Sequence, residues 1–143
     1  MNTQRTLHKH LHTNTHTNIC QVNLQHCKDA MSELGQYVRR AKVEIALLQE
    51  PYAWRNRVAG LGHLGGALYY EGNGELPPRA CIYVSNNVRN MGCFMTMCCR
   101  DLVVVETYFI NDEGKRCKVA LASCYQPGDV ETPTKELEET VLR

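Results

Sequence analysis

The sequence predicts an α/β domain, and three stretches carry that prediction. The first is "EIALLQEPY" (44–52), where a continuous apolar run, Ile45 to Leu48, is halted abruptly by Gln49, Glu50 and Pro51. An unbroken apolar run bounded by a turn suits a strand covered on both faces. The second stretch precedes it. "NICQVNLQ" (18–25) reads as a short strand, and Cys27, Ala30, Met31, Leu34, Val38 and Ala41 then recur at steps of three and four, an apolar helix stripe. Arg39, Arg40 and Lys42 gather at its end, where the helix dipole favours cations. Strand, helix and strand with short joins are the grammar of a layered α/β domain. The third stretch is "DLVVVETYFI" and "KRCKVALASCY" on either side of "NDEG". Two β-rich runs around a Gly-containing turn predict an antiparallel hairpin.

The remaining segments are filled in around these. Residues 53 to 78 are rich in glycine and close on Pro77-Pro78, which predicts mostly loop with a short strand at "ALYY" (67–70). A GxGxxGG pattern at 60–66 follows no clean strand and opens no helix, so it is not a dinucleotide fingerprint. "RACIYVSNN" (79–87) predicts a strand ended by an Asn-Asn turn. Thr132 and Pro133 read as the N-cap and first residue of a helix through "KELEETVLR".

Composition limits the function classes. The chain has 143 residues, enough for one domain, and 43% hydrophobic residues, enough for a core. Its formal net charge of +1 gives no global pull toward a polyanion, so nucleic-acid binding would need a local patch. No stretch approaches the roughly 20 apolar residues that span a bilayer, and the N-terminus lacks a secretory h-region. Eight cysteines without a C-x-x-C pair predict reduced, mostly buried thiols in an intracellular protein rather than a zinc ribbon. Residues 1–17 read as a disordered tail rich in His, Thr and Asn. His8, His10, His12 and His16 would otherwise suggest a metal-binding tract.

Three strands share one feature: an apolar body with a hydrogen-bonding residue at the C-terminal end. These residues are Asn23, Glu50 and Tyr125. In layered α/β folds ligands sit beyond the carboxyl ends of strands, so neighbouring strands would bring an amide, a carboxylate and a phenol into one cleft. Hard oxygen ligands of this kind suit Mg²⁺, which binds through one or two carboxylates plus substrate phosphates. Each residue also has a plain structural reading: a turn-bonding amide, a solvated strand end, a packed ring. Trp54, Arg55 and Arg57 place an aromatic ring and two cations on the following loop. That combination suits a nucleic-acid backbone or, equally, a surface loop with a packed Trp.

"QVNLQHCKDAMSEL", "IALLQEPY", "PRACIYVS", "DLVVVE" and "SCYQPGD" together resemble the N-terminal endonuclease domain of non-LTR retrotransposons, within the endonuclease/exonuclease/phosphatase superfamily of apurinic endonucleases and deoxyribonuclease I. The resemblance spans about residues 19 to 142. It implies the N-terminal portion of a four-layer α/β sandwich, with residues 18–143 as a partial domain. It implies catalytic roles for Asn23, Glu50 and Tyr125, with Glu50 holding Mg²⁺ or Mn²⁺ and Tyr125 contacting the scissile phosphate. The implied reaction is metal-assisted hydrolysis that nicks DNA and leaves a 3′-hydroxyl to prime a reverse transcriptase region of the longer protein, in the nucleus.

The departures from the family pattern are specific. Gln25 stands where some relatives carry an aspartate. The Asp-x-Asn segment and the late Asp-His pair would fall after Arg143, and His26 and His63 lie in the wrong segments to replace them. The chain is therefore expected to be truncated and inactive alone, with an exposed inner face and an unpaired sheet edge. The alternative is a non-enzymatic remnant that binds nucleic acid or a partner. A third class, a metal-binding or structural protein built on the His-rich tail and the cysteines, finds no closed zinc spacing.

Overall fold

The structure, a computed structural model, describes residues 16–128. Most of the predicted tail and the helix predicted from Thr132 lie outside the described residues.

The strand–helix–strand unit forms as expected: β1 (Ile19–Asn23), α1 (Lys28–Arg40) and β2 (Ile45–Gln49), with β1 and β2 parallel. A tight β3 (Ala53–Trp54) and β4 (Arg57–Val58) follow, then a short 3₁₀ turn, β5 (Ala67–Tyr69), β6 (Ala80–Val84) and α2 (Asn86–Met91). The chain ends its described part with β7 (Cys93–Cys98), β8 (Leu102–Ile110) and β9 (Arg116–Cys124). One sheet has the order β1-β2-β6-β5 and is mixed, because β6 runs antiparallel to both β2 and β5. The other is the antiparallel sheet β7-β8-β9, whose β8–β9 pairing runs unbroken from Leu102↔Cys124 to Ile110↔Arg116 around the Asn111–Gly114 turn.

Alternation along the strands assigns the layers. On β2 and β6, Ala46, Leu48, Cys81 and Tyr83 face the α1 stripe of Met31, Leu34 and Val38. Ile45, Ala80, Ile82 and Val84 face the second sheet and meet Val103 and Val105 of β8. The described residues thus form three layers: helix, mixed sheet, antiparallel sheet. This central sheet is covered on both faces, which is why β2 reads as an unbroken apolar run rather than an alternating one.

Three expectations are corrected. The Asn86-Asn87 pair does not end its strand in a turn; it opens α2, whose N-cap Ser85 accepts a hydrogen bond from the Val88 amide. The 53–78 segment carries more structure than a loop with one strand, because β3 and β4 form a hairpin there. The described cysteines are all free thiols, but only Cys81 is buried where most were expected to be, because the others lie at strand and helix edges that stay partly exposed. Cys81 is fully buried, and desolvation pushes its thiol far above the ordinary range. No helix among the described residues is long and apolar enough to cross a membrane.

Candidate active site

The carboxyl ends of β1, β2 and β9 do converge, main-chain hydrogen bonds extend each sheet's pairing past that end, and those to the Arg100 carbonyl join the two sheets. The Glu50 amide donates to the Arg79 carbonyl (2.8 Å), the Arg79 and Ala80 amides both donate to the Arg100 carbonyl, and the Tyr125 amide donates to the Asp101 carbonyl (2.8 Å). Beneath these lies a buried side-chain link. Gln49 Nε2 donates to Ser123 Oγ (2.9 Å), and Ser123 Oγ donates to the Leu48 carbonyl (2.6 Å). Gln49 immediately precedes Glu50, and Ser123 lies two residues before Tyr125. The link therefore fixes the spacing between a carboxylate on one sheet and a phenol on the other.

Local backbone then aims the carboxylate. Glu50 adopts φ 47°, a left-handed conformation that is rare for residues other than glycine. Pro51 behind it is fully buried. Opposite, Asn23 folds back so that its Oδ1 accepts from the Gln25 amide (2.9 Å), and Gln25 and His26 follow at φ 51° and 55°. Three left-handed residues cluster around one carboxylate. Such strain persists only where surrounding structure holds it, and it gathers at functional sites.

The side chains meet on Glu50. Asn23 Nδ2 donates to Glu50 Oε1 at 3.4 Å. His26 Nε2 lies 3.4 Å from Glu50 Oε2, while its Nδ1 faces the Pro51 carbonyl at 3.1 Å. The neighbouring Glu50 carboxylate, through hydrogen bonding first, then desolvation and the carboxylate's charge, raises the Tyr125 phenol pKa above its ordinary value. The neutral phenol is the form the fold favours. Its contribution is present below the ordinary value of about 10 and is lost as pH rises through the raised one. By ultraviolet difference titration against Tyr125→Phe, the lost phenol should ionise above the reference value; ionisation at or below it would contradict this contact.

Arg79 holds Tyr125 from behind. Its guanidinium makes a bidentate pair with Asp101 (2.6 and 2.7 Å) and lies 4.9 Å from the centre of the Tyr125 ring. Both partners keep about a fifth of their side-chain surface exposed, so solvent screens the pair. Arg79→Ala is expected to cost about 1 kcal/mol in chemical denaturation, and an unchanged midpoint would refute that.

His26, Arg79 and Asp101 are the site residues that sequence reasoning missed. His26, read as lying in the wrong segment, is brought to Glu50 by the left-handed turn after Asn23. Arg79 and Asp101 precede β6 and β8, and only the packing of the two sheets makes them neighbours. Trp54, Arg55 and Arg57 lie on the β3–β4 hairpin, with the Arg55 guanidinium 4.3 Å from the centre of the Trp54 rings. Among the described residues no hydrogen bond or ion pair joins them to Glu50.

The donor set tests which metal would fit. Among the described residues no group of three His, Cys, Asp or Glu side chains could hold an ion. That excludes a closed zinc site there. One partly exposed carboxylate fits Mg²⁺, which keeps most of its waters and completes its shell with substrate phosphate. Asn23 Oδ1 is engaged with its own turn, which leaves the Glu50 carboxylate as the free oxygen donor of the pair.

No protein-family model matches the chain, and no curated protein does. A solved structure does: the endonuclease domain of TRAS1, a telomere-specific non-LTR retrotransposon, at TM-score 0.63 and 23% identity, covering 90% of this chain and 52% of that one. The chain therefore has that domain's fold and spans about half its length.

Proposed function

We propose that the chain belongs to a metal-dependent DNA endonuclease that hydrolyses a phosphodiester bond and nicks its target. The observation that carries this reading is the convergence of Asn23, Glu50 and Tyr125, from three strand ends on two sheets, around one strained carboxylate. The likeness in fold to the TRAS1 endonuclease domain supports it.

In this reading residues 18–143 contribute to a four-layer α/β sandwich, the three described layers being part of it. Glu50 holds Mg²⁺ or Mn²⁺, and the ion, when bound, supplies charge stabilisation at the phosphate. Asn23 fixes the carboxylate through its amide N–H. Tyr125 presents a phenolic proton at the edge of the same carboxylate and can donate to a phosphate oxygen. Arg79, neutralised by Asp101, keeps that ring in place. Trp54, Arg55 and Arg57 contact the DNA beside the site, which acts in the nucleus alongside a reverse transcriptase region. Nicking by this chain alone is proposed to be weak or absent.

The test is calorimetric titration with Mg²⁺ and Mn²⁺ beside a supercoiled-plasmid assay in Mg²⁺ or EDTA. Saturable one-site metal binding supports the proposal. No binding of either ion, or nicking that persists in EDTA, defeats it. The reading as a non-enzymatic remnant predicts DNA retention without any metal requirement.

A further inference from the structure

The β3–β4 hairpin presents a large aromatic ring to solvent and holds it there. Trp54 is 59% exposed and is the chain's single tryptophan. The hairpin turn consists of Arg55 and Asn56, both at positive φ (51° and 61°), the signature of a type I′ turn. Asn56 Nδ2 anchors the tip by donating to the Glu75 carbonyl at 2.9 Å. The ring is therefore displayed by a fixed support.

Beside it lies an open cleft of about 730 Å³ between the hairpin and α1. Met31 and Tyr52 give it apolar and aromatic walls, and Lys28 and His63 also line it. Gly60, at φ 100°, lines it without a side chain, and a Cβ there would sit 3.1 Å from Met31. No Asp or Glu lines the cleft among the described residues. Arg55, stacked on Trp54, adds a cation at the rim. The cleft adjoins the site in sequence on both walls: Tyr52 is two residues past Glu50, and Lys28 two past His26.

We infer that this cleft takes an unpaired nucleobase of single-stranded or locally opened nucleic acid, stacked on Trp54, with the adjoining phosphates against Lys28 and Arg55. The inference rests on the nuclease reading for placing the base next to a scissile phosphate. Its own argument is chemical. A displayed indole offers a π-face to any base, apolar walls exclude water, and cations at the rim meet the backbone. A paired base has both faces occupied by its neighbours in the stack and cannot enter.

Because Trp54 is the sole tryptophan, its fluorescence reports the cleft directly. The full chain is titrated in EDTA, so that cleavage plays no part, with three probes. These are a single-stranded oligothymidylate of about 12 nucleotides, a duplex of the same length, and inorganic polyphosphate. The expected result is saturable quenching by the single strand, weaker quenching by the duplex and none by polyphosphate. Trp54→Ala should bind the labelled single strand about tenfold more weakly by anisotropy, and Trp54→Phe should keep most of the affinity. Oligonucleotide binding without quenching, equal quenching by duplex or polyphosphate, no oligonucleotide binding at all, or unchanged affinity in a Trp54→Ala variant with native circular dichroism would each overturn it. Quenching by a chain that binds neither Mg²⁺ nor Mn²⁺ in calorimetry retires the nuclease reading and keeps the cleft. Nicking without quenching does the reverse.

Discussion

Glu50→Ala is expected to abolish Mg²⁺ binding, by at least about 100-fold in titration calorimetry, while changing stability by no more than about 1 kcal/mol. The two halves of that expectation have separate physical grounds. Glu50 is the single carboxylate on which Asn23, His26 and Tyr125 converge, and no trio of His, Cys, Asp or Glu among the described residues offers another metal site. Its side chain keeps about a fifth of its surface exposed, so its loss opens no core cavity. Alanine carries a Cβ as glutamate does and suffers the same left-handed strain at φ 47°. The main-chain bond from residue 50 to the Arg79 carbonyl survives the substitution. An unchanged Mg²⁺ affinity would remove Glu50 from the site. A loss of affinity accompanied by a large fall in stability would show that the carboxylate serves the fold instead.

The second large effect belongs to a residue that touches no ligand. Ser123→Ala is expected to destabilise the domain by about 1–3 kcal/mol. Ser123 has no exposed surface, and its hydroxyl both accepts from Gln49 and donates to the Leu48 carbonyl. Alanine leaves a donor of Gln49, itself 6% exposed, facing a methyl group, and leaves the Leu48 carbonyl without that partner. Such orphaned groups cost their desolvation in full, more than an average hydrogen bond contributes. Urea denaturation measures the fall. Replacing Gln49 and Ser123 together by Leu and Ala removes both polar groups and should recover part of the loss, whereas a simple packing defect would not be rescued.

What could be read from the sequence follows from how local the signals are. β2 was visible because both its faces are buried, so its apolar run is continuous. The β8–β9 hairpin was visible because its turn holds Gly114 at φ 79° between two long runs, the first of them strongly β-branched. Helix α2 was not, since six residues give less than two turns of periodicity and Asn-Asn imitates a turn. β7 escaped because "CFMTMC" has few β-branched residues, is half exposed, and breaks its pairing register between Met95 and Met97. The β3–β4 hairpin was hidden because its turn uses Arg55-Asn56 where a glycine would announce it. The same logic divides the site. Asn23, Glu50 and Tyr125 stand at strand ends, and a strand end is a local feature. His26 needs an unforeseen left-handed turn. The pairing of Arg79 with Asp101 needs the stacking order of two sheets, which no short stretch of sequence encodes.

The buried Gln49–Ser123 link has a consequence for the order of events during folding. Asn23 and Glu50 come from the first sheet and Tyr125 from the second, so neither layer possesses the trio by itself. A molecule caught with one layer formed has a carboxylate without its phenol. Assembly of the trio is thereby an all-or-none property of the two stacked sheets.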